Sequence, residues 1–114
     1  MARAIRFGIA GTILIALGRL GATGRLPRNI VAGIRIPSTM RSDEAWLAGH
    51  QAAASALTAA GAGSVAVAAA AVTRPGRNAQ TLLYRMGGAW LLAWLGLAIF
   101  QANTAARATG AKSR

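Results

Sequence analysis

The sequence contains no cysteine and only two acidic residues, the neighbours Asp43 and Glu44. The absence of cysteine excludes a disulfide framework, a thiolate nucleophile and any cysteine-ligated zinc. With both acids side by side, no second carboxylate is placed for acid–base catalysis. None lies in the long apolar runs either, where a proton-coupled multidrug-type transporter would need one. His50 is the single histidine and cannot hold a metal alone. The chain is therefore read as non-enzymatic, with no catalytic residue, metal or cofactor. Aromatic residues are also scarce, at 5%, although the net charge is +11. A nucleic-acid surface needs a basic face interleaved with aromatics on which bases stack. Here the cations instead punctuate long uncharged stretches, so nucleic acid is not expected as a partner.

What is present points to lipid. Hydrophobic residues make up 54% of the 114, and charged residues 13%, against about a quarter in a soluble domain. The clearest run, residues 52–73, carries no charge. Its length matches the ~20 residues that cross ~30 Å of hydrocarbon. It is mostly alanine, with Gly61, Gly63, Ser55 and Ser64, and its bulky side chains are Leu57, Val65, Val67 and Val72. Such a helix belongs between neighbours, where small residues let backbones approach closely. Arg74, Pro75, Gly76 and Arg77 should end it. A third run, 83–102, is rich in leucine and carries Trp90 and Trp94 on one face. These tryptophans either line a ligand site or, as the simpler reading, pack against the alanine-rich helix. After Asn103 the chain turns polar, with Arg107, Lys112 and Arg114, and a disordered or membrane-surface tail is expected.

The first apolar run is short. Phe7 to Gly18 lies between Arg3 and Arg6 on one side and Arg19 on the other, a pattern shared with secretory signals. Arg19 occupies the place of a small, uncharged cleavage region, so the segment is read as an uncleaved span over about 4–24. Gly8, Gly11, Gly18 and Gly21 would then give it a small-residue face for the alanine-rich helix. The expected fold is an all-α integral membrane bundle forming one domain of about three transmembrane helices. An interfacial loop and helix, residues 25–51, joins the first span to the second.

That connecting segment holds most of the chemical variety. Pro27 and Pro37 interrupt helix, Asn29 can cap a turn, and Gly33 permits a tight one. Ser42 reads as an N-cap, with Asp43 and Glu44 in the first turn at the positive end of the helix dipole. No breaker follows, so this helix should continue into the second span. Asp43, Trp46 and His50 are spaced to share a face. They form either a pH-sensitive or ligand-binding site, or an interfacial tryptophan, a capping acid and a histidine bonded to a loop carbonyl. Arg35 needs partners near the membrane; Asp43, Glu44 and loop carbonyls are nearest in sequence. It could serve the turn or bind an anion.

The run Asn29, Gly33, Ile34, Arg35, Pro37, Thr39, Ser42, Trp46, His50 resembles the signature of the SdpI family, roughly N-x3-G-[IV]-R-x-P-x-T-x2-S-x3-W-x3-[NH]. The resemblance implies a multi-pass protein of the cell membrane. It also implies a role in toxin immunity or signal relay, because the family's namesake protects its cell from a secreted toxin and sequesters a repressor. The candidate recognition residues are Asn29, Gly33, Arg35, Pro37, Thr39, Ser42, Trp46 and His50. Apart from the lipid bilayer, the implied partners are a membrane protein, a peptide toxin or a regulator. The namesake is longer, with additional spans. An alternative is a small accessory subunit that stabilises a larger membrane complex by helix packing. With three spans, eight Lys/Arg fall on the side of the connecting segment and tail and five on the other. The positive-inside rule then favours a cytoplasmic connecting segment.

Overall fold

A computed structural model describes residues 1–29, 32–74 and 76–112. Pro75, expected to help stop the second span, lies outside these residues, as do Arg114 and the Lys112 side chain. The chain forms α1 (Ala2–Ala22), the single turn α2 (Pro37–Met40), α3 (Asp43–Thr73) and α4 (Arg77–Lys112). Three of these, α1, α3 and α4, are long and apolar enough to cross a membrane.

Small residues decide the arrangement. On α1, Gly11, Gly18 and Gly21 are buried against α3. A Cβ at Gly11 would lie 2.6 Å from the carbonyl oxygen of Gly61, and one at Gly61 would strike the carbonyl oxygen of Gly11. The two helices thus meet backbone to backbone, as the glycine face of the first span led us to expect. The buried Ser64 hydroxyl adds an interhelical bond, donating to the Phe7 carbonyl at 2.6 Å. On its other flank α3 receives α4. Trp90 stands over Gly63 and donates Nε1–H to the Ala59 carbonyl at 2.8 Å. Trp94, its ring 5.5 Å from that of Trp90, packs on the core of Ala53, Ala56 and Leu57. The alanine-rich helix is therefore the centre of the bundle, and the tryptophans pack on it.

Helix ends follow local chemistry. Gly24, at φ +70°, closes α1 while the Arg25 N–H reaches the Leu20 carbonyl at 2.9 Å, an αL helix stop that glycine makes without strain. Ser42 opens α3 by accepting the Ala45 N–H at 3.0 Å, and α3 then runs 31 residues unbroken, ~46 Å of helix. Counting ~20 residues back from Arg74, the length the hydrocarbon requires, reaches Ala54. The first turns of α3 therefore stand in the interface.

One expectation is corrected. The tail after Asn103 continues as helix to Lys112. Ser38 Oγ donates to Asn103 Oδ1 at 2.7 Å, and the Arg41 guanidinium donates to the Ala106 carbonyl at 2.9 Å. With Ala102 and Ala106 fully buried, these bonds hold the last turns of α4 against the connecting segment. Both lie at one end of the bundle. Cysteines at the exposed Glu44 and Thr104 should therefore react with an impermeant maleimide from the same side, and one at Asn78 from the opposite side. Labelling of Glu44 and Thr104 from different sides would refute this three-span path.

Candidate functional site

The connecting segment folds as a cap on the bundle, and nearly every polar atom of the signature is used to hold it. Asn29 makes the entry turn: its Oδ1 accepts the Ala32 N–H at 2.6 Å and its Nδ2 donates to the Pro27 carbonyl at 2.8 Å. At Gly33 the chain takes φ +110°. A Cβ there would lie 2.8 Å from His50 Nε2 and 2.9 Å from Trp46 Cη2, so the site demands glycine for conformation and for space.

Immediately after it, the Ile34 N–H donates to His50 Nε2 at 2.8 Å. The other ring nitrogen, Nδ1, donates to the Trp46 carbonyl at 2.8 Å. These two partners fix the tautomer, with the proton on Nδ1. The ring lies 4.0 Å from that of Trp46, centroid to centroid, and Trp46 in turn donates Nε1–H to the Leu26 carbonyl at 2.8 Å. Both rings are buried. The histidine thus meets a loop N–H, where a loop carbonyl was one expectation. With both nitrogens engaged, it is not free to ligate a metal.

Thr39, fully buried, donates its hydroxyl to the Ile34 carbonyl at 2.6 Å and accepts the Ile36 N–H at 3.2 Å. Pro37, at the first position of α2, supplies a preset φ where no N–H is needed. Asp43 shares a helix with Trp46 and His50 but takes no part in their stack. Its side chain is 88% exposed and pairs with Arg28 at 3.2 Å. Arg28 also donates to the Met40 carbonyl at 3.0 Å. Arg28, Ser38 and Arg41 thus fasten the cap although none stood out in the sequence, because their partners are backbone carbonyls and distant side chains.

Arg35 differs from its neighbours in the signature. Its side chain is exposed, and it borders a cleft of about 270 Å³ between α1 and α4. Leu57 of α3 lines the floor, Leu14 and Leu17 one wall, Leu95 and Ile99 the other, and the Gly33–Ile36 stretch of the cap the rim. Among the described residues, Arg35 is the one charged residue lining it. The arrangement pairs an apolar slot with a guanidinium at its mouth, suited to an amphiphilic or peptidic ligand that carries an anionic group.

The profile of the SdpI/YfhL protein family matches residues 25–103, from the start of the cap through most of α4 and more than two thirds of the chain. No curated protein and no solved structure matches the chain.

Proposed function

Because this chain belongs to the SdpI/YfhL family of multi-pass membrane proteins, we propose that it acts by binding, in toxin immunity or signal relay at the cell membrane, with the Asn29–His50 cap as its recognition surface. The observation that carries this reading is the division of labour within the signature. Asn29, Thr39, Ser42, Trp46 and His50 turn their polar groups inward and satisfy one another or the backbone. Arg35, on the same frame, is exposed. A guanidinium held on such a frame loses little freedom when it takes up a carboxylate or peptide carbonyls, which favours binding.

The side on which the cap lies separates the two roles. A cap facing outward meets a secreted peptide, whereas a cytoplasmic cap, which the positive-inside rule favours, meets a regulator. Arg35→Lys keeps the charge and loses the planar fork. It is expected to leave membrane-inserted protein at the wild-type level and to lower protection against the toxin, or capture of the regulator, by about tenfold. Protein level and output are read in parallel. If output falls only in proportion to protein, the recognition surface is refuted and a purely structural cap remains.

A further inference from the structure

We propose that the cleft between α1 and α4 is a binding site for an anionic phospholipid, with one acyl chain over Leu57 and the phosphate on Arg35. Depth is the first argument. The hydrocarbon begins near Ala54 when counted back from Arg74, so Leu57 lies just inside it. Ile34 is tied to His50, one turn above Ala54, which puts the Arg35 backbone at the level of lipid phosphates. The charge therefore stands where a headgroup is, and the apolar slot where a chain is.

Size is the second. At about 270 Å³ the cleft falls just under the ~300–1,000 Å³ of ordinary ligand pockets. A helix ~10 Å across cannot enter it, whereas a single hydrocarbon chain can. Its walls are leucine and isoleucine from both flanking helices, and an aqueous cleft of that composition would be costly within a bilayer. Charge is the third. Arg35 is exposed and borders the cleft. The guanidinium fork matches the oxygens of a phosphate diester. The lipid would take the same Arg35 that the proposed recognition surface presents, so the two ligands would compete for it. The test below contains neither toxin nor regulator, so the two readings fail separately.

The purified full-length protein is reconstituted in nanodiscs of mixed phosphatidylglycerol and phosphatidylcholine with identical chains, then released and weighed intact with its retained lipid. Wild type is expected to retain phosphatidylglycerol over phosphatidylcholine by about tenfold beyond their ratio in the disc. Arg35→Gln should erase that preference, while Arg25→Gln, an exposed arginine away from the cleft, should preserve it. Ile99→Trp, made at a half-exposed wall position, should fill the slot and reduce retention of both lipids while leaving lipid-free melting in detergent unchanged. Equal retention of the two lipids, or a preference that survives both Arg35→Gln and Ile99→Trp, overturns the proposal. So does a melting shift from inorganic phosphate equal to that from phosphatidylglycerol, which would make the site a bare anion site. If phosphatidylglycerol has no effect but an apolar peptide with a free carboxylate raises melting only when Arg35 is present, the cleft is a peptide site and the lipid assignment fails.

Discussion

Gly61→Leu is expected to separate α1 from α3 and give a large loss of stability. The obstruction is backbone: a side chain at residue 61 meets the Gly11 carbonyl, Ile15 Cγ1 at 2.7 Å and the Ile15 N at 2.9 Å. A helix backbone cannot rotate aside as a rotamer can, so relief requires the helices to move apart along their whole contact. That also breaks the Ser64–Phe7 bond three residues from the site. Overpacking costs about 1–3 kcal/mol where side chains can yield, and Gly61→Leu should lie at or above that upper end. Gly63→Leu is the informative companion. Its obstruction is the Trp90 indole, which can swing away at the expense of its bond to Ala59, so the loss should be smaller. Leu97→Ala, at a position 40% exposed toward lipid, should change little. Melting of the three variants in one detergent is expected in the order Gly61→Leu lowest, then Gly63→Leu, then Leu97→Ala near wild type. A Gly61→Leu variant that melts with Leu97→Ala would mean that α1 does not pack on α3 as described.

Where sequence and structure agree, the controlling physics is local. The apolar runs are long enough to cross a membrane, the Ser42 cap and absence of breakers set the start and continuity of α3, and the glycines of α1 recur on one face. Where they part, the controlling partner is remote. The last turns of α4 have a polar composition that reads as a tail, and it is partners remote in sequence, Ser38 and Arg41 among them at 65 residues' separation, that hold them in place. Within the cap, Trp46 and His50 are one helical turn apart and their stacking follows from spacing. Asp43, three residues before Trp46, is placed on the same face yet leaves the cluster and pairs with Arg28. The spacing gives a side chain its face and says nothing about which partner outcompetes another for it. The polarity of the His50 partner was equally illegible, since a ring that both donates and accepts suits a loop carbonyl or a loop N–H.

The contact between His50 and Gly33 can be read by a double-mutant cycle, in which the two changes are expected to cost less together than their separate losses predict. His50→Ala leaves the buried Ile34 N–H without its acceptor and opens a gap beside Trp46, for about 2–4 kcal/mol. His50→Asn should lose less, because an amide carries both an acceptor for Ile34 and a donor for the Trp46 carbonyl. Gly33→Ala imposes a side chain on φ +110° and drives its Cβ against His50 Nε2 and Trp46 Cη2. The backbone strain alone costs about 1–3 kcal/mol. When the imidazole is absent, one of the two obstructions disappears while the strain persists. The double variant should therefore be more stable than additivity allows by about 0.5–3 kcal/mol, the range for residues in contact. Gly33→Ala combined with Leu97→Ala supplies the uncoupled reference and should add within ~0.5 kcal/mol. The measurement is chemical or thermal unfolding in detergent, followed by tryptophan emission, since Trp46 sits inside the contact. Strict additivity of Gly33→Ala and His50→Ala would show that the loop does not close on the helix at these residues, and with it would go the frame that holds Arg35 at the mouth of the cleft.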